Sequence, residues 1–171
     1  MEKRKILVNK KERDVSLLGF GCMRFPTKDG EIDVAESKKM VDYAIEHDVN
    51  YIDTAWPYHN GKSELVVREF MKNYSRDSYF LADKLPLCEI KTNEDVDRIF
   101  HEQLEKCGVE YFDFYLIHAV NKQRYDQAIE LNLLSKECIQ PILNLIIEIQ
   151  KMNYSFQKSI VNKISILNTQ I

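Results

Sequence analysis

Four side chains in this sequence have the types and spacing to move a proton: Asp53, Tyr58, Lys84 and His118. A tyrosine hydroxyl, with a reference pKa of about 10, is protonated near neutrality and can donate. An ammonium beside it favours the phenolate and draws that value toward the working range, and a carboxylate can hold the ammonium in place. A histidine next to them can orient a carbonyl oxygen. Such a group can protonate a carbonyl oxygen while a hydride arrives at its carbon, which is carbonyl reduction. No side chain supplies hydride, so the chemistry requires a nicotinamide cofactor. Each residue also has a plainer reading. Asp53 before Thr54 can be a turn residue, His118 after an apolar run a hydrogen-bonded structural residue, and Lys84 near Pro86 a solvated charge.

Position favours the chemical reading. Asp53, Lys84 and His118 each stand at the C-terminal end of a different predicted strand, and in a parallel α/β barrel those ends share one face. Tyr58 follows Asp53 by five residues, in a loop long enough to return its phenol over the strand ends. The strands are predicted at 51–54, at 79–82 running on into Asp83 and Lys84, and at 111–117. An apolar run at 17–23 reads as a further strand, buried on both faces. Ahead of it, residues 1–16 read as a charged hairpin with its turn at 9–12.

Three helices are predicted between these strands. The first starts at a capping box, Asp33 with Glu36, and carries Val34, Val41, Ala44 and Ile45 on one face. The second opens at Asn60 or Gly61 and carries Leu65, Val66 and Phe70. The third begins at Thr92 and Asp95, carries Val96, Ile99, Phe100, Leu104 and Cys107, and ends near Gly108. Residues 27–32 read as a loop. Strand and helix alternating through short connections give an α/β fold with a parallel sheet and helical crossovers.

Composition narrows the class. The chain has 171 residues, is 44% hydrophobic and carries a net charge of −3. It lacks the basic excess of a nucleic-acid surface, an apolar run of the roughly 18 residues a membrane helix needs, and the apolar region of a signal peptide. Four cysteines without C-x-x-C spacing read as free thiols. The expected location is therefore cytoplasmic, with no nucleic-acid or membrane partner. The four histidines show no i, i+4 pair and no cysteine at ligand spacing, so no metal site is expected. Gly19-Phe20-Gly21 by itself is not a dinucleotide fingerprint, which weakens a flavodoxin-like alternative. Trp56 reads equally as an aromatic wall of a substrate pocket or as a packing residue.

The motifs taken together resemble the opening of an aldo-keto reductase. They are Leu18-Gly19-Phe20-Gly21-Cys22-Met23-Arg24-Phe25-Pro26, Asp53-Thr54-Ala55 with Tyr58, Gly61-Lys62-Ser63-Glu64, Lys84 in Leu81-Ala82-Asp83-Lys84-Leu85-Pro86, and His118 in Asp113-Phe114-Tyr115-Leu116-Ile117-His118. The resemblance covers roughly residues 3–132. It implies a (β/α)8-barrel whose bottom the N-terminal hairpin closes, with Tyr58 as proton donor, Lys84 and Asp53 tuning it, and His118 positioning the carbonyl. It also implies NADPH as cofactor, an aldehyde or ketone as small-molecule substrate, and Gly21, Cys22, Met23 and Asp53 near the nicotinamide ribose. Asp83 departs from the Thr or Ser that the family often carries there. On a strand it points opposite to Lys84, and little effect on the proton relay is expected, although its charge could pair with a neighbour. Nothing matches the C-terminal iron–sulfur motif of one subgroup.

An eight-fold barrel needs roughly 200 residues or more, so this sequence has room for about the first half: the hairpin and about four β/α units. Residues 1–134 read as a partial barrel and 135–171 as a divergent tail. The tail is rich in Ile, Asn and Lys, and no glycine occurs after Gly108. It reads as a frameshifted or prematurely ended product. The competing reading is an amphipathic helix through Ile142, Ile146, Ile149, Phe156 and Ile160 that covers an open barrel edge or a partner. In the family, most contacts to the cofactor's pyrophosphate and adenine come from the second half. The expectation is thus weak or absent reductase activity for the chain by itself, with self-association through exposed strand edges. The alternative is a non-catalytic fragment or partner-binding half barrel.

Overall fold

The computed structural model describes residues 1–8 and 11–133. Strands β1 (Lys3–Val8) and β2 (Lys11–Ser16) form the antiparallel hairpin, in register from Lys3 opposite Ser16 to Val8 opposite Lys11. The strands are longer than expected, so residues 11 and 12 belong to β2 and not to a turn; residues 9 and 10 lie outside the described residues. Next come β3 (Phe20–Gly21), a small hairpin of β4 (Thr27–Lys28) and β5 (Glu31–Ile32), and α1 (Val34–Glu46). Then β6 (Tyr51–Asp53), α2 (Ser63–Met71), β7 (Phe80–Leu85), α3 (Asn93–Cys107), β8 (Phe114–Ile117) and α4 (Lys122–Glu130) follow in alternation.

Four strands make one parallel sheet in the order β3-β6-β7-β8, with α1, α2 and α3 as the crossovers. This is the first part of a parallel α/β barrel, as expected. Side chains alternate across each strand, and the alternation sorts the core into two faces. Phe80, Ala82 and Phe114 pack with Tyr51 against Ile6 and Val15 of the hairpin, so the hairpin covers one end of the inner face. Ile52, Leu81, Leu85 and Tyr115, of opposite parity, join Val41, Val67, Phe70 and Ile99 from the helices. By the same parity Asp53, Lys84 and His118 fall on the inner face, beyond Tyr51, Ala82 and Phe114.

Local signals explain the element ends. Asp33 caps α1 by accepting from the Glu36 N–H at 3.0 Å. Thr92 and Asp95 form a reciprocal capping box at α3, and Gly108 ends that helix at φ 65°. A Cβ on Gly108 would also lie 2.8 Å from the Arg68 side chain. Asn50 ties the hairpin to the sheet, accepting from Ser16 N–H at 2.8 Å and donating to the Asp14 carbonyl at 2.8 Å. Arg76 pins the starts of β7 and β8. Its guanidinium lies over the Tyr79 and Tyr111 rings and bonds Asp113 at 2.6 Å, while Asp113 accepts from Leu81 N–H.

Three expectations need correction. The run at 17–23 is not a strand buried on both faces: only Phe20 and Gly21 are strand, Leu17, Leu18 and Met23 are exposed, and 22–24 form a 3-10 turn. The pairing with β6 is only two residues long, and of the residues flanking it Cys22 is buried while Leu17, Leu18 and Met23 are not. Residues 27–32 are a hairpin, not an open loop. Its turn holds Asp29 at φ 54° and Gly30 at φ 82°, the left-handed pair that an Asp-Gly turn favours. The helix α4, capped by Asn121, was not anticipated.

Candidate active site

The barrel parity and the loops beyond β6, β7 and β8 bring Asp53, Tyr58, Lys84 and His118 together. The Lys84 ammonium lies 2.5 Å from Asp53 Oδ1 and donates to the Thr54 carbonyl at 2.6 Å. Two of its three N–H bonds are thus taken by the end of the neighbouring strand. The same ammonium stands 4.8 Å from the centre of the Tyr58 ring. His118 meets that ring edge-on, with centroids 5.8 Å apart and planes at 83°. Its backbone N–H donates to the Leu85 carbonyl at 2.9 Å, continuing the β7–β8 ladder one residue past β8.

Tyr58 owes its place to the loop between β6 and α2. Thr54 N–H pairs with the Ala82 carbonyl, and Tyr58 N–H turns back onto the Ala55 carbonyl. Tyr58 to Gly61 form a 3-10 turn in which His59 and Asn60 have left-handed dihedrals (φ 51° and 55°) and Gly61 follows at φ 81°. Three such residues in a row are costly for the two that carry a Cβ. The turn is braced by His59, whose ring stacks on Phe25 and accepts from Phe25 N–H at 3.2 Å. Thr54 Oγ1 and Ser63 Oγ, both buried, bond at 2.9 Å and close the loop at its base. Trp56 lies under the Lys106 ammonium, 3.5 Å from the ring centre, and packs against the core, which favours the packing reading.

Burial pushes the His118 imidazole below its ordinary pKa, helped by the nearby Lys84 and Arg124 cations and opposed by Asp53. Neutral imidazole is the favoured form near neutrality, with one ring N–H to donate. Asp83, on the opposite face of β7, is fully buried, and Cys107 Sγ lies 3.8 Å from its Oδ2. Burial and the neighbouring Glu64 carboxyl hold Asp83 well above the usual carboxylate range. The side chains beside it are thus a second acid and a thiol.

The residues expected near a nicotinamide ribose divide by exposure. Gly21 stands in register with Asp53, and a Cβ built on it would meet nothing within 4 Å, so space is open at that strand end. Met23 is exposed and Asp53 half-buried. Cys22 is completely buried, and its thiol is pushed up by that burial, so only its backbone could face a ligand. The open strand end beside an anchored carboxylate fits the nicotinamide end of such a cofactor. Among the described residues no helix is long and apolar enough to cross a membrane, and no three His, Cys, Asp or Glu converge on a metal position.

The sequence model described as "Aldo/keto reductase family" matches residues 17–155, reaching past Leu134 into the isoleucine-rich segment. Curated relatives include 4-dihydromethyl-trisporate dehydrogenase of Mucor mucedo, 29% identical over 66% of this chain and 34% of that protein. Another is probable aldo-keto reductase 1 of Glycine max, 28% identical over 63% of this chain and 34% of its own length. The chain thus spans about a third of the length of these relatives. Among solved structures, an aldo-keto reductase of Bacillus halodurans in its holo form superposes with a TM-score of 0.63 at 24% identity, over 81% of this chain and 46% of that one. One from Klebsiella pneumoniae, solved in complex with NADPH, gives 0.57 at 24% identity, over 78% and 46%. These structural likenesses carry the barrel fold.

Proposed function

This chain belongs to the aldo/keto reductase family of oxidoreductases, and from that premise we propose that its described residues carry the proton-donor machinery of an NAD(P)H-dependent carbonyl reductase acting on an aldehyde or ketone. The observation that carries the reading is the convergence of Asp53, Tyr58, Lys84 and His118 from three strand ends and one braced loop. Tyr58 donates its hydroxyl proton to the carbonyl oxygen. The Lys84 ammonium beside the ring stabilises the phenolate left behind, and Asp53 keeps that ammonium in place. Neutral His118 donates a ring N–H to the same oxygen and fixes the carbonyl's orientation. A reduced nicotinamide, when bound, supplies the hydride to the carbonyl carbon. Gly21, Met23, the Cys22 backbone and Asp53 are the groups proposed to hold its ribose end.

By the family resemblance, the pyrophosphate and adenine contacts come from the second half of a barrel. We therefore assign the partial barrel to residues 1–134, weak cofactor affinity and slow turnover to the chain by itself. The test is whether the full chain, given NADPH and a simple aldehyde, forms one alcohol per NADPH oxidised. Slow but stoichiometric product is expected. No product at saturating NADPH would overturn the reading, and turnover at ordinary enzyme rates would overturn the dependence on a second half.

A second reading has one observation in its favour. Among the described residues, the outer edges of β3 and β8 have no strand partner. Open edges pair with other chains, so a partner-binding half barrel or self-association follows naturally. Gel filtration with light scattering separates the two: a monomer over the micromolar range would remove this reading.

A further inference from the structure

Lys84 stands where the sheet stops supplying partners for its backbone. Strand β6 ends at Asp53, opposite Ala82, while β7 runs on to Leu85. The carbonyls of Leu81 and Leu85 accept from Asp113 and His118 on the β8 side, and that of Ala82 accepts from Thr54 on the β6 side. By alternation, the Lys84 N–H and carbonyl face the β6 side, past the end of β6. Two side chains take the place of the missing strand. Asp83 Oδ1 accepts from the Lys84 N–H at 2.8 Å, and Gln103 Nε2 donates to the Lys84 carbonyl at 3.1 Å.

Gln103 is itself held on every side. It is completely buried on α3, its Oε1 accepts from the Tyr115 hydroxyl at 2.5 Å, and its Nε2 also donates to Glu64 Oε1 at 3.1 Å. Glu64 is equally buried and takes Lys106 Nζ on its other oxygen at 3.2 Å. Burying an amide is unfavourable unless its groups are bonded, and an apolar side chain would fill the same volume without that requirement. What Gln103 contributes beyond volume is a donor, fixed in direction, at the backbone of Lys84.

We propose that Gln103, with Asp83, is a positioning residue for Lys84: the amide and the carboxyl stand in for the absent strand and fix the backbone from which the ammonium reaches Asp53 and Thr54. The inference rests on Lys84 as the residue that tunes Tyr58. A lysine displaced by about 1 Å from such a site loses much of its effect on the transition state.

The test reads the geometry of Lys84 and not turnover. In the full chain labelled with 13C,15N-lysine, the Lys84 ammonium signal is assigned by its disappearance in Lys84→Arg, and its proton exchange is measured. Losing one bond of this strength shifts a local opening by about tenfold. Gln103→Met is therefore expected to speed exchange about tenfold, while Val96→Ala, buried on the same helix seven residues before Gln103, leaves it unchanged. Asp83→Asn, which keeps the acceptor oxygen, is expected to preserve the wild-type rate. Should Gln103→Met fail to fold, Tyr115→Phe, which frees the amide but keeps it in place, is expected to speed exchange severalfold. Wild-type exchange in Gln103→Met, or in Tyr115→Phe where that variant stands in, would overturn the proposal. A failed reductase assay would leave this result standing, so the two readings fail separately.

Discussion

Lys84 and Asp53 form an ion pair across neighbouring parallel strands, with the ammonium 2.5 Å from Asp53 Oδ1 and the two side chains 12% and 27% exposed. At that depth solvent compensates poorly for a lost partner, and the Thr54 carbonyl keeps the ammonium from swinging out. Asp53→Asn is expected to destabilise the fold by about 1–3 kcal/mol, between the ranges for surface and buried pairs. Urea denaturation checks this, and a change under about 0.3 kcal/mol would show that water carries the pair.

His118 gives a pH signature. Its imidazole is held below the ordinary value of 6.5, by burial first and by Lys84 and Arg124 next. The unfolded chain therefore binds a proton more readily than the folded one. Its contribution to stability is fully present above about pH 6.5 and is lost as pH falls through the lower folded value. Histidine 13C and 15N shifts followed against pH are expected to show His118 titrating below the ordinary value of 6.5, and a midpoint at or above it would contradict this.

Asp83 runs the other way. Burial and Glu64 raise its folded pKa, so the cost of ionising it grows as pH rises through that folded value, and the fold is favoured below the unfolded value of 3.8. Asp83→Asn removes an ionisable group and keeps the acceptor for Lys84. It is expected to stabilise the chain by about 1–2 kcal/mol near pH 8 and by much less near pH 4. Denaturation at the two pH values checks the difference, and equal effects at both would contradict it.

Arg76 stacks against Tyr79 and Tyr111 and bonds Asp113 at the sheet's opposite end, far from the proposed chemistry. Arg76→Ala leaves the nearly buried Asp113 carboxylate without its cation. A loss of about 3 kcal/mol in stability is expected, read as a lowered Tm, with the Lys84 ammonium signal unchanged.

Much of the site was legible because strand parity is legible. Tyr51 and Asp53, Ala82 and Lys84, and Phe114 and His118 share parity along three apolar runs, so one inward set implied the other. The Asp29-Gly30 turn carried a readable signal that the loop reading passed over. Leu17 and Leu18 misled because an apolar run does not reveal how much of it a neighbour will cover. The network of Glu64, Asp83, Gln103 and Tyr115 could not be read at all. Its members are ordinary polar positions on two helices and two strands, and only packing selects which of them meet. Both readings of the tail at 135–171, a frameshifted or prematurely ended product and the competing helix through Ile142 and Ile160, fall outside the described residues.

The most direct measurement compares wild type with Tyr58→Phe in a single turnover with saturating NADPH and a simple aldehyde, following alcohol formed. A positioned proton donor contributes about 100- to 10,000-fold. The account predicts a loss of that order in Tyr58→Phe, with NADPH binding, read by nicotinamide fluorescence, unchanged. Equal alcohol formation by the two proteins would contradict it.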